Sequence, residues 1–280
     1  VDASWLATLQ HQNWIGYLAA SVSLNEQGRV VRDRGVVTLL GHVPMRFFNQ
    51  ILVEETGAAA SAIAASSIAV GVRLGRARRD PFVVSLREGI DDRFMPLMAD
   101  IGLVPSDDAA TQAMTLHPVS ARVRSTLATP GFEITQISDE SGLEDWRAAV
   151  SSGFGAEPSV AQAMMGVGLL ERPECAAYVG YLNGQPVTAG LGWQTGRTIG
   201  VYNIATIPTA RRRGFGEAMT ARVVDDGAAA GCDVAVLQAS SMGRPIYERI
   251  GFQISVRYTG YVDSPVSRGE AREDVAYGNS

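Results

Sequence analysis

The chain has 280 residues, 46% of them hydrophobic and 19% charged, with a formal net charge of −5. That apolar content supports a packed core and excludes a disordered chain, and the length suits two domains or one large one. The acidic balance argues against a nucleic-acid binder, which would need a broad basic face.

Other features narrow the class further. Two cysteines, Cys175 and Cys232, are too few for a disulfide framework or a thiolate zinc site. His11, His42 and His117 are scattered, so no metal is expected. All 24 basic residues are Arg, which removes catalytic lysine chemistry. No stretch reaches the ~18 uninterrupted apolar residues of a membrane span. The best one, 61–72, is broken by serines and runs into Arg73, Arg76, Arg78 and Arg79. Residues 1–16 hold Asp2, His11 and two tryptophans and do not read as a signal peptide. A soluble, cytoplasmic protein is expected.

In chain order, residues 5–19 read as a helix, 36–40 and 46–53 as strands, 61–74 as a helix, 82–86 as a strand, 93–100 as a helix and 113–117 as a strand. Thr-Leu-Ala-Thr-Pro-Gly at 126–131 marks a joint. Beyond it, 132–137 reads as a strand and 141–154 as a helix capped by Ser138 or Ser141. A second helix is expected at 160–170. Strands 176–182 and 186–192 flank the hairpin turn Asn183-Gly184, and a further strand covers 199–206. A helix follows Gly216, with Phe215, Met219 and Val223 on one face and Gly231 at its end. Then come a strand at 234–237, a short helix at 243–250 and an alternating strand at 252–258. From 264 to 280 the chain is polar and reads as a loose tail.

The two segments repeat one order of elements. Met98-Ala99-Asp100-Ile101-Gly102-Leu103 resembles Tyr247-Glu248-Arg249-Ile250-Gly251-Phe252, with an offset of 149 residues. This reads as a divergent internal duplication. The expected division is 1–128, 131–263 and a tail at 264–280.

The chemistry concentrates in Ile207-Pro208-Thr209-Ala210-Arg211-Arg212-Arg213-Gly214-Phe215-Gly216, where a strand ends and a glycine-bearing loop opens a helix. Glycines let the chain turn tightly and let a ligand approach the amides. Helix-start amides lack internal partners and carry partial positive charge, so the turn suits a pyrophosphate. Position 219 is Met, not the third glycine of a dinucleotide fold, and without Lys no nucleotide P-loop is possible. The second piece runs from Leu237 to Phe252 and holds Ser240 and, seven residues on, Tyr247, followed by Gly251-Phe252.

Together the two pieces resemble the Gcn5-related N-acetyltransferase (GNAT) superfamily. Arg211, Gly214 and Gly216 match its strand-to-helix motif, and Ser240, Tyr247, Gly251 and Phe252 its second motif. The resemblance covers about 132–262. It implies an α/β (α+β) fold of two tandem GNAT-like domains, each a mixed, mostly antiparallel twisted sheet flanked by helices, the first degenerate. It implies acetyl-CoA as cosubstrate, its pantetheine amides along Ile204, Ala205 and Thr206. The pyrophosphate would lie on the turn formed by Arg211, Arg212, Arg213, Gly214, Phe215, Gly216 and Glu217. Ser240 would bond the pantetheine arm, and Tyr247 would be the catalytic general acid to the departing thiolate.

The implied reaction is acetyl transfer to a primary amine on a small molecule or a peptide, with no nucleic-acid or membrane partner. A monomer and a homodimer both fit the sequence. No Asp or Glu lies in 199–206, where many relatives carry the base. Glu157, another carboxylate of the helical region, a water chain held by Tyr202 or Asn203, and an acceptor of low pKa all stay open. That gap also keeps open a non-catalytic acyl-CoA-binding protein, and the region of Leu191 and Trp193 a different acyl group. In the first segment Met98 stands where the second has Tyr247, and 52–60 holds Glu54, Glu55 and a single glycine, Gly57. That half is expected to bind no acetyl-CoA.

Overall fold

The computed structural model describes residues 3–54, 61–119 and 129–264. Most of the expected joint at 126–131, and all of the expected tail beyond 264, lie outside these residues. Two compact units divide the chain. Unit 1 holds Val1–Tyr17 and Ala113–Ser255, and unit 2 holds Leu18–Gln112 and Val256–Ser280. Each unit therefore draws on both halves of the sequence, where the duplication led us to expect a simple succession.

Unit 1 contains β6 (Phe132–Gln136), β7 (Cys175–Leu182), β8 (Gln185–Thr195), β9 (Thr198–Thr206) and β10 (Val234–Ala239), and the end of β5 (Leu103–Leu116). The strand order is β5-β10-β9-β8-β7-β6. Pairing is antiparallel from β6 to β9 and parallel between β9 and β10. Such a parallel pair needs a crossover, and α7 (Phe215–Ala229) provides it.

The helices take sides by residue alternation. Ile199, Val201, Ala235 and Leu237 share a core with Met219, Val223 and Val224 of α7. A methyl group added to Gly190 or Gly192 would run into Met219 or Val223, so small residues let α7 lie close. The opposite face, with Leu191 and Trp193, is covered by α4 (Glu140–Phe154) and the start of α1 (Ala3–Leu24). Trp146 of α4 donates its indole N–H to the Gly190 carbonyl at 3.0 Å. Asn13 of α1 donates to the carbonyl of Trp193 at 3.0 Å.

Unit 2 contains β1 (Arg29–Asp33), β2 (Val36–Leu40), β3 (Asn49–Val53), β4 (Val83–Arg87), and most of β11 (Gln253–Asp263), in the order β1-β2-β3-β4-β11. Again one parallel pair, β3 with β4, stands among antiparallel ones. α2 (Ser61–Arg78) and α3 (Met95–Asp100) pack Ile68, Val72 and Met98 against Ile51, Val84 and Leu86. The mixed, mostly antiparallel sheets with flanking helices are those the resemblance implied.

Local differences have local causes. The cap of α4 is Asp139, not Ser138 or Ser141, and its carboxylate accepts from the Gly142 amide at 2.8 Å. The helix expected at 160–170 is broken into α5 (Pro158–Met164) and α6 (Val167–Leu170), because Gly166 between them is extended. The strand expected at 46–53 starts at Asn49, after a 3-10 turn over Arg46–Phe48. There the Asn49 amide donates to the carbonyls of Val43, Met45 and Pro81. β1 was missed because its residues are mostly exposed, with charges at three of five positions.

Candidate active site

β9 and β10 pair at Thr198, Ile199 and Gly200, opposite Val234, Ala235 and Val236. β9 then runs on to Thr206 and β10 to Ala239 without continuing that ladder. The cause lies on the β8 side. Ala189 faces Ala205, but Leu191 already faces Tyr202, so β9 carries an extra residue opposite Gly190. Asn203 takes a left-handed φ of 54° there. Such a bulge bends its strand, and the two parallel strands part toward their C-terminal ends. The β10-facing edge of 201–206 is left outside the ladder.

The turn beyond β9 is anchored by the Ile207 amide, which donates to the Val187 carbonyl at 3.0 Å. Pro208–Ala210 forms a 3-10 turn, and Arg212 (φ 61°) and Gly214 (φ 83°) are left-handed. Gly214 is the N-cap of α7 and supplies no side chain to its first amides. A methyl group on Gly216 would sit 3.5 Å from Thr206 Oγ1 and 3.8 Å from Ile204 Cγ2, so this position is not filled by its neighbours. Uncapped amides at a positive helix end form an anion cradle.

The side chains named from sequence divide by role. The Arg211 guanidinium is spent internally: it donates to the Gly153 carbonyl at 2.9 Å and toward that of Thr206 at 3.4 Å. Phe215 is buried, with Phe132 at 4.5 Å between ring centroids, so it offers the cradle its backbone. Arg212 and Arg213 are exposed, and Arg213 lies over the Phe215 ring at 5.0 Å. Glu217 is paired with Arg249 at 3.0 Å. Thr206 shares a 3.1 Å hydrogen bond with Thr188, and Ala205 is buried. The Ser240 hydroxyl accepts from the Gly243 amide at 3.1 Å, opening α8 (Arg244–Ile250).

Tyr247 lies on α8, within the core that Leu237 and Met219 share. Gly243 lets its ring come close, since a methyl group there would meet Tyr247 Cε2 at 2.9 Å. Burial pushes its phenol up to about 12. Among the described residues its hydroxyl has no hydrogen-bond partner.

Sequence reasoning missed what α1 does. Tyr17 stacks on Tyr202 at 4.1 Å and accepts from the Asn203 amide at 2.7 Å, while the Tyr202 hydroxyl donates to Asn13 at 2.7 Å. Tyr202 and Asn203, named as possible holders of a water chain, are thus both engaged with α1. These partners are more than 180 residues apart, so no local periodicity reveals them. Glu157 is exposed at the start of α5.

The family of the acetyltransferase (GNAT) domain matches residues 136–255. Residues 136–255 belong to the GNAT superfamily. Solved structures similar to the chain agree in fold. A GCN5-related N-acetyltransferase from Kribbella flavida has a TM-score of 0.67 at 17% identity, covering 91% of this chain and 95% of its own. One from Sphaerobacter thermophilus has a TM-score of 0.60 at 17% identity, covering 84% and 75%. A functionally unknown conserved protein from Staphylococcus epidermidis has a TM-score of 0.59 at 15% identity, covering 86% and 96%. No curated protein matches the chain. Among the described residues no cluster of His, Cys, Asp or Glu suits a metal ion, and no helix is long and apolar enough to cross a membrane.

Proposed function

We propose that unit 1 transfers an acetyl group from acetyl-CoA directly to a primary amine on a small molecule or a peptide. The observation that carries this reading is the parting of β9 and β10 immediately before the uncapped start of α7. The first feature offers a strand edge to an amide-bearing chain, and the second offers amides to a pyrophosphate. One ligand carrying both groups, coenzyme A, fits the two together.

Acetyl-CoA supplies an activated thioester. The backbone at 204–206 would orient the pantetheine arm, and the amides of 212–217 would hold the pyrophosphate. A backbone N–H near Ile204 or Ala205 would polarise the thioester carbonyl. As the amine nitrogen bonds to the carbonyl carbon, the C–S bond breaks and the Tyr247 phenol gives its proton to sulfur. The amine's own proton leaves to water or to an acceptor-side base. The Tyr247 phenol, pushed up to about 12 by burial, holds its proton at neutral pH and, once it has given it to sulfur, regains one from solvent.

Calorimetric titration with acetyl-CoA, followed by thiol release with a panel of primary amines, tests the reading. Binding with amine-dependent thiol release is expected, and no binding overturns it. Binding without turnover of any amine would favour an acyl-CoA-binding protein, the reading that the lack of a carboxylate in β9 supports. Titration with longer acyl-CoAs separates the acyl-group alternatives. In the same proposal, unit 2 is a degenerate relative that binds no acetyl-CoA.

A further inference from the structure

β10 places one polar side chain in an otherwise apolar strand. Gln238 follows Val234, Ala235, Val236 and Leu237, beyond the last residue that pairs with β9. Its amide nitrogen and oxygen are both buried, and neither has a hydrogen-bond partner among the described residues. A buried, unmade hydrogen bond costs roughly 1–3 kcal/mol per group. A buried amide with a donor and an acceptor both unspent therefore invites a ligand.

The face it occupies follows from alternation. Ala235 and Leu237 pack with α7 and Tyr247, so Val236 and Gln238 lie on the opposite face. Val236 is in register with Gly200 of β9. Gly200 lies against Asn13, and Tyr202, two residues on, bonds Asn13 and stacks on Tyr17. The Gln238 amide thus lies on the face of α1, at the start of the parted strands, across the sheet from Tyr247. With the proposed proton donor, Tyr247, on one face of the sheet, the Gln238 face is the one offered to the acceptor.

We infer that Gln238 is a specificity-determining residue for the acceptor, binding an amine that carries both a hydrogen-bond acceptor and a donor near the reacting nitrogen, such as an amino amide. The carbonyl of that group would take the Gln238 N–H, and its N–H would be taken by the Gln238 oxygen. This rests on the acetyltransferase reading and names its substrate class. A site built to hydrogen-bond a substrate group rejects the analogue that lacks it far more strongly than an apolar pocket distinguishes one methylene.

The test compares β-alaninamide with n-butylamine in the full chain, with two readouts. The first is kcat/KM with acetyl-CoA. The second is the shift of the Gln238 side-chain amide resonance when each amine is added with CoA, which reports binding without turnover. The wild type is expected to prefer β-alaninamide by about ten- to a hundredfold, and its amide resonance to move with that amine alone. In Gln238→Met the preference falls to about one, while CoA affinity stays within twofold. Gln238→Glu, which keeps acceptors and loses the donor, shifts preference to 1,3-diaminopropane. An unchanged preference in both variants overturns the proposal, as does a resonance that neither amine moves. Loss of CoA affinity in Gln238→Met also overturns it, assigning the amide to the cosubstrate. If no amine is acetylated yet the resonance moves with β-alaninamide, the transferase reading fails and the binding assignment stands.

Discussion

The β9–β10 pair of unit 1 and the β3–β4 pair of unit 2 occupy the same place in their sheets, and they end differently. β9 extends six residues past its last β10 partner, and β3 extends one past its last β4 partner. β3 pairs with β2 without interruption, whereas β9 carries its bulge opposite Gly190. At the end of β4, Arg87 is almost fully buried and its guanidinium donates to the Val53 carbonyl at 3.0 Å. Asp91 holds that guanidinium with hydrogen bonds of 2.7 and 2.9 Å. Unit 2 therefore closes with its own cation the gap that unit 1 leaves open. One extra residue and one buried arginine separate the strand pair proposed to admit a ligand from one whose end is closed.

The largest expected effect comes from filling the open side. Gly214→Glu places a carboxylate and a side chain at a left-handed position of the cradle, and acetyl-CoA binding measured by calorimetry is expected to be lost. Tyr247→Phe is expected to lower kcat by about 10²–10⁴-fold, with CoA affinity nearly unchanged; rates that match the wild type would remove the phenol from the mechanism. The pH dependence has a definite sign. Below its raised value of about 12 the phenol stays protonated, so the wild-type kcat should show no alkaline fall from Tyr247 below about pH 11. The folded value also exceeds the unfolded one of ~10. Stability from this group is therefore complete below pH ~10 and is lost as pH rises toward 12.

The closed side is probed by Arg87→Ala. It leaves Asp91 buried and unpaired and is expected to cost about 3–5 kcal/mol in urea unfolding. A loss near zero would show that the arginine is not the plug described. Asp139→Ala gives the smallest effect, about 1 kcal/mol from the lost cap of α4, read as a drop in melting temperature.

Sequence marked the backbone of the candidate site and little of its surroundings. Gly214, Gly216 and Tyr247 were legible because a turn and a short helix write their needs within a few residues. The bulge at Asn203 is faint in the sequence: Asn tolerates the left-handed backbone there, but a lone Asn within an apolar strand pattern does not by itself mark an extra residue. Asn13 and Tyr17 were read as parts of an N-terminal helix, and their tie to Tyr202 and Asn203 exists in three dimensions alone. Arg211 matched a motif, yet its side chain supports the loop by bonding Gly153 and Thr206. Gln238 looked like an ordinary strand residue until its amide proved to be buried without a partner.

The pairing of β4 with β11 joins Arg87 to Tyr258 and Leu86 to Thr259, so it has a consequence for biogenesis. A ribosome that has just released β4 must add about 170 residues before its neighbour exists. At ~5–20 residues per second that wait lasts roughly 10–30 s. Throughout it, the β4 edge that pairs with β11 in the folded unit has no strand to meet.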